Sequence, residues 1–283
     1  MDKTRSVISQ IESLPTLPQV VHKVISLVEN PETSASQIAQ AVGKDSALVS
    51  KILKVVNSAY YGLPRKVSKL SQATVILGFH SIKNLVLTAS VFSYFGKNGQ
   101  ADGFDREKFW LHSLGCATAS KVISRRMRLG NPEEAFICGL LHDIGKIALD
   151  QFLHDEFEKI LSLANREQVT LAEAEMKILG ADHSEIGAWL CDKWNFPWHI
   201  QECVAYHHRP DAAKENRRFV YLVHLSDAIA HWENLGHGGN PTGPKLQPGT
   251  IEELDLPEEE LVEMIQEILE EYDRALILMD FLN

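Results

Sequence analysis

Apolar residues recur at three- and four-residue spacing along most of the chain, the signature of amphipathic helices. After Leu14-Pro15-Thr16-Leu17-Pro18, the positions Val20, Val21, Val24, Ile25 and Val28 form one such stripe, which Asn30-Pro31 stops. Ser34 and Gln37 have capping-box spacing for a second helix ending at Gly43, and Asp45 caps a third with Leu48, Val49, Ile52, Leu53 and Val56 on its inner face. An irregular stretch from Asn57 to Pro64 precedes a helix that runs to Leu77-Gly78 and a long apolar one from Ser81 to Phe95. Three glycines and an asparagine between Gly96 and Gly103 then mark a boundary.

Beyond that boundary the helical pattern resumes at Asp105, with Phe109, Trp110, Leu114, Ala117 and Val122 pointing inward and His112 near the same face. Asn131-Pro132-Glu133 restarts a helix that carries Phe136, Ile137, Leu140 and Leu141 into His142-Asp143. Asp182 to Glu185 opens another, Trp198 to Tyr206 leads into His207-His208, and Phe219 to Trp232 contains Asp227. Asn234 to Thr250, rich in glycine and proline, reads as a flexible loop or linker, and Leu261, Ile265, Ile268, Tyr272, Leu276 and Met279 form a last stripe that packs back on the bundle. The pattern as a whole predicts an all-α, two-lobed multi-helix bundle: a helical lobe over residues 1–98, a second over 99–233, and a loop with a terminal helix over 234–283.

Composition narrows the classes. The chain has 283 residues and a net charge of -10, and its longest apolar stretch, Leu85 to Phe95, falls short of the roughly 20 residues a membrane span needs. With no apolar signal core at the start, the expectation is a cytoplasmic protein without membrane contact. Cys116, Cys138, Cys191 and Cys203 lie scattered in helical patterns without a CxxC pair and read as small buried hydrophobes. The helices either side of Gly43 have helix-turn-helix dimensions, with Ser46, Ser50, Lys51 and Lys54 on the second. The acidic balance argues against DNA, and two packed helices are common in any bundle.

The stretch Gly139-Leu140-Leu141-His142-Asp143-Ile144-Gly145-Lys146 places three ionisable residues in apolar surroundings, where each needs a partner. A lone histidine on an apolar face is usually a core residue, and His22 and His80 are read so. His112, His142, Asp143, His183, His207, His208 and Asp227 form instead an ordered set of five imidazoles and two carboxylates. Such donors suit divalent transition metals, with iron or manganese favoured and zinc or nickel also accommodated. Seven ligands exceed the needs of one tetrahedral ion. Two ions about 3.5 to 4 Å apart would acidify a shared water and clamp a phosphoryl group. Lys146, one helical turn after His142-Asp143, stands ready to neutralise phosphate charge. His224 and His231, either side of Asp227, are candidates to orient its carboxylate; His154, His199 and His237 have no evident partner, and Glu173 and Glu175 read as a solvated face.

This order of residues resembles the HD phosphohydrolase superfamily and is similar to the two-metal HD-GYP pattern. From about Ile8 to about His231 the chain resembles more specifically the HDOD family, the HD-related output domain of bacterial signalling proteins. That likeness rests on Leu14-Pro15-Thr16-Leu17-Pro18, Val56-Asn57-Ser58-Ala59-Tyr60-Tyr61-Gly62, Ala73-Thr74-Val75-Ile76-Leu77-Gly78 and the Gly139 to Lys146 stretch. The resemblance implies an all-helical signalling or regulatory module that acts through a protein partner. Many relatives lack an intact metal-ligand set, whereas this sequence keeps one. It departs from HD-GYP at Arg209-Pro210-Asp211, where that family carries its GYP signature, which argues against cyclic-di-GMP hydrolysis. Two readings follow: a regulatory protein with a dinuclear metal site, or a metal-dependent phosphohydrolase acting on a nucleotide or cyclic nucleotide, with Asp143 and Lys146 in the chemistry and Arg209 as a further phosphate contact.

Overall fold

The computed structural model describes residues 18–96 and 103–282, and among them every regular element is a helix. The all-α expectation therefore holds. Leu14 to Leu17 of the opening motif and most of the expected boundary between Gly96 and Gly103 lie outside the described residues. The described chain divides into two compact units, residues 18–96 with 273–282 and residues 103–272.

The smaller unit contains α1 (Gln19–Glu29), α2 (Ala35–Val42), α3 (Ser46–Val56), α4 (Leu70–Leu77) and α5 (Phe79–Phe95). The starts of α2 and α3 follow the capping logic of the sequence. Ser34 and Gln37 form a reciprocal capping box on α2, and the Asp45 carboxylate accepts the Leu48 N–H at the start of α3. Gly78, at a φ of 85° that only glycine adopts without strain, turns the chain from α4 into α5. Helix α5 is buried from Ser81 to Phe92, and α1 and α3 pack on it, with Val21, Val24, Ile52 and Val56 among their buried side chains. Each such aliphatic side chain contributes roughly 1.5–3 kcal/mol by leaving water.

The unit is completed by a 3₁₀ segment, Leu276–Leu282, which lies against α3 and α5. Lys51 donates to the Phe281 carbonyl at 3.2 Å, and Lys54 pairs with Asp280 at 2.7 Å. Two of the four α3 side chains that could face DNA are thus engaged by Phe281 and Asp280.

In the larger unit, α6 (Arg106–Met127) and α7 (Pro132–Leu141) pack side by side, followed by α8 (Ile144–Phe152), α9 (His154–Glu167), α10 (Leu171–Ile178), α11 (His183–Lys193) and α12 (Trp198–Tyr206). Helix α13 (Arg217–Trp232) runs through the core, buried from Val220 to Ala230. The short α14 (Thr250–Glu253) and α15 (Leu261–Ala275) close the unit. Asp105, Asn131 and Asp182 cap α6, α7 and α11 with their side chains.

Two expectations need correction. Helix α7 stops at Leu141, so His142 and Asp143 stand at a junction rather than inside one continuous helix. The buried face of the last helix is Met264, Ile268, Tyr272 and Ala275, while Leu276 is exposed, because the helix ends at Ala275 and the tighter 3₁₀ winding that follows rotates the stripe. The stripe is reinforced from outside by Arg125 and Arg126 of α6, both paired with Glu267.

Candidate metal centre

The seven candidate ligands come from five places in the larger unit. His112 projects from the middle of α6, His142 and Asp143 from the α7–α8 junction, His183 from the first position of α11, His207 and His208 from the end of α12, and Asp227 from α13. Their heads converge on Asp143. Its Oδ1 lies 3.1 Å from His183 Nε2 and 3.5 Å from His207 Nε2, and its Oδ2 lies 3.3 Å from His142 Nε2 and 3.9 Å from His112 Nε2. Asp227 Oδ1 completes the far side at 3.0 Å from His112 and 3.6 Å from His142, while His208 Nε2 is 2.9 Å from His183 Nε2. All seven are therefore brought together, in two groups that could each hold an ion and that share Asp143: His112 and His142 on one side, His183, His207 and His208 on the other.

The backbone explains the convergence. A Cβ on Gly145 would sit 1.9 Å from the His183 carbonyl oxygen, so only glycine lets α8 and α11 touch main chain to main chain and bring His183 to Asp143. Glu202 on α12 supplies a second brace. Its buried carboxylate accepts N–H groups from Lys214, Glu215 and Asn216 and the Asn216 side-chain amide, at 2.6 to 3.2 Å, fixing the start of α13, whose cap residue Asn216 makes no capping bond to the first turn of the helix. These bonds hold the Glu202 carboxyl below its ordinary range against the opposing effect of burial.

The imidazoles are oriented as ligands are. His142 Nδ1 donates to the Gly139 carbonyl at 2.7 Å and His207 Nδ1 to the Val204 carbonyl at 2.9 Å, which leaves each Nε2 to face the cluster. His183 Nδ1 donates to Glu175 Oε2 at 2.6 Å, and the His183 backbone N–H reaches the same oxygen at 2.7 Å. Glu175 is fully buried on α10, not on the solvated face that its charged neighbours suggest. Among the buried atoms that make no hydrogen bond are His142 Nε2, His207 Nε2 and Asp143 Oδ1. Buried polar atoms of this kind are costly unless something else satisfies them, and imidazole and carboxylate atoms turned into one cluster are what divalent cations take. The residues present therefore fit a metal.

Charge within the cluster is strongly coupled. Burial opposes ionisation of Asp143, yet the neighbouring His142 and Lys146 outweigh it and hold the carboxyl well below its usual range. Asp227 is likewise held well below its usual range against burial by His112 and His142. Burial disfavours protonated His183, but Glu175 and Asp143 reverse the balance and raise it to about 9; His142 is raised well above its ordinary value by Asp143 against the same opposition. His207 and His208 are lowered by burial and by the neighbouring imidazoles.

Lys146 is buried, its ammonium donating to Asp143 Oδ2 at 2.6 Å and to the Gly238 carbonyl at 3.0 Å. The loop after α13 thus folds over the cluster instead of trailing away. His237 N–H donates to the Lys108 carbonyl at 2.8 Å, and Gln247 N–H donates to His224 Nε2 at 3.0 Å. A Cβ on Gly238 would lie 3.1 Å from His112 Nε2. His224 does not orient Asp227; its Nδ1 donates to the His207 carbonyl at 2.6 Å, tying the loop to the α12 terminus. Arg209 is exposed and lies 3.7 Å from Asp182, outside the cluster.

Comparison with known proteins places the chain in a family and a fold. The HDOD domain model matches residues 14–210. An uncharacterized protein of Treponema pallidum is 25% identical over 222 residues, which are 77% of this chain and 42% of that protein, so the chain spans less than half of this relative's length. Among solved structures, an HDOD domain protein of unknown function from Geobacter sulfurreducens is 25% identical with a TM-score of 0.84, covering 99% of this chain and 97% of that one. A candidate phosphohydrolase of Shewanella amazonensis shares the fold at 21% identity, with a TM-score of 0.76 over 98% of this chain and 97% of its own.

Proposed function

Since this chain belongs to the HDOD domain family, we propose that it is a signal-transduction protein that keeps a dinuclear metal centre as a structural or sensing element and acts through a protein partner. In this reading His112, His142, Asp143 and Asp227 would hold one ion and Asp143, His183, His207 and His208 the other, an HD-GYP-like set. Iron or manganese suits the mixed imidazole and carboxylate donors, and zinc or nickel is accommodated by the same atoms. Bound ions of this kind supply Lewis acidity, acidifying water and neutralising phosphoryl oxygens.

The observation that carries the signalling reading over a hydrolytic one is the commitment of Lys146. The cation that a phosphate would need is buried and already shared between Asp143 and the Gly238 carbonyl. Six of the seven ligands are buried as well, His208 alone being half-exposed. The second reading, a metal-dependent phosphohydrolase acting on a nucleotide or cyclic nucleotide, draws on the orphaned Nε2 atoms of His142 and His207 and on the phosphohydrolase name of the Shewanella neighbour. In that case Lys146 leaves Asp143 to meet phosphate, with Arg209 as a further contact.

Elemental analysis of the purified chain, with a panel of phosphodiesters and nucleotides as substrates, separates them. Two ions per chain without turnover supports the signalling centre. Turnover that disappears in both His142→Ala and Asp143→Ala overturns it in favour of the hydrolase.

A further inference from the structure

The chain is acidic as a whole, yet residues 16–96 carry eight lysines and arginines against three acidic residues. Part of this excess gathers at one concavity. The C-terminal half of α3 and the extended segment that follows Tyr61-Gly62 border an open cleft of about 670 Å³, lined by Ser50, Leu53, Leu63, Arg65, Lys66 and Ser68 with Lys54 on its far wall. That volume lies within the roughly 300–1,000 Å³ of small-molecule sites.

The cleft wall is fixed before anything binds. Asn57, at the end of α3, accepts the Val67 N–H at 2.7 Å and donates to the Val67 carbonyl at 2.8 Å and the Leu53 carbonyl at 2.7 Å. This two-way amide clasp buries Val67 and pins the segment that bears Arg65 and Lys66. Both cations are exposed, and neither makes an ion pair or hydrogen bond among the described residues; the hydroxyls of Ser50 and Ser68 are equally uncommitted. Lys54 on the opposite wall is balanced by Asp280, so the unneutralised charge is concentrated at Arg65 and Lys66. Half-buried Leu53 and Leu63 add apolar surface beside it.

We infer that this cleft binds a nucleoside monophosphate, with phosphate on Arg65 and Lys66 and the ring system against Leu53 and Leu63. A guanidinium and an ammonium form charge-assisted bonds to phosphate oxygens, and because their backbone is already pinned only the side chains remain to be ordered. The small apolar floor accepts a ring but not a chain of bases. Of the three cations that line the cleft, Lys54 is paired with Asp280, which leaves Arg65 and Lys66 to meet one phosphate rather than a row of them. The site is separate from the metal cluster and does not rest on what that cluster does.

Titration calorimetry on the full chain in excess EDTA tests it, with AMP and GMP as probes and adenosine, inorganic phosphate and a single-stranded oligonucleotide as comparators. Saturable binding of AMP or GMP, about tenfold or more weaker in the Arg65→Ala/Lys66→Ala variant and weakened by added salt, supports the assignment. Both substituted residues are exposed, and circular dichroism verifies that the variant is folded. Absence of nucleotide binding overturns the proposal, as does binding that the double variant leaves unchanged. Phosphate or the oligonucleotide binding as tightly as the mononucleotides overturns the ligand class.

Discussion

Asp143 is enclosed by four imidazoles and the ammonium of Lys146, with about 1% of its surface exposed, whereas Arg65 and Lys66 stand in solvent with no charged partner among the described residues. The two regions hold charge under opposite conditions. In the first, every ion is desolvated and depends on its neighbours, so the cluster is inseparable from the stability of the fold. In the second, water already satisfies the cations, and their only distinctive energy is the one they would gain on a ligand. Buried charge acts on folding and metal retention together, and exposed charge acts on recognition alone.

The sharpest way to break that contrast is Asp143→Asn. Removing the shared anion leaves His142, His183 and Lys146 to repel one another in a dry interior. The metal-free variant should lose about 3–5 kcal/mol of stability, read as a lower urea midpoint at unchanged m-value. An unaltered midpoint would mean that water reaches the cluster and that the two regions are alike.

A pH series on the metal-free protein probes the same coupling without mutation. His183 is raised from 6.5 to about 9, so the folded state favours its proton. Its contribution is complete below pH 6.5 and is lost as pH climbs through about 9, lowering the melting temperature over that span. Asp143 and Asp227 act in the other direction: their carboxyls are depressed, and their contribution disappears as pH falls through and below the ordinary carboxylate range. Because a metal at Nε2 replaces the His183 proton, the stabilisation that added metal confers should grow between pH 6.5 and 9.

Glu175→Gln is milder. The amide keeps the shape but weakens the bond that orients His183, and metal affinity should fall about 10- to 100-fold in competition with a chromophoric chelator. The smallest effect belongs to the other region. Arg65→Ala should leave the thermal midpoint nearly unchanged, with a change in stability within about 0.5 kcal/mol, since no partner is lost. A larger drop would show that the cleft is part of the fold's own support.

Much of this was legible in the chain. Capping residues at Ser34, Asp45, Asn131 and Asp182 announce helix starts because their side chains satisfy N–H groups that no other local atom reaches. The ordered histidines and aspartates were visible because so many metal-compatible side chains rarely fall on apolar helix faces together. Glu175 was missed because charged residues surround it in sequence, although Leu171, Ala174 and Glu175 form the i, i+3, i+4 stripe of the buried face, and that spacing was the available signal. Glu202 and the Gly238 carbonyl carried no local signal at all. Their roles arise from the ends of other elements, at Asn216 and at Lys146, which only the tertiary arrangement brings near.

The return of Leu276–Leu282 to α3 and α5 has a consequence for how the molecule is made. The smaller unit is discontinuous in the chain, begun by residues 18–96 and finished by residues 273–282, with residues 103–272 of the larger unit translated between them. During synthesis Lys51 and Lys54 therefore wait for the Phe281 carbonyl and Asp280 until residues 103–272 have left the ribosome. The unit that emerges first is the one that closes last.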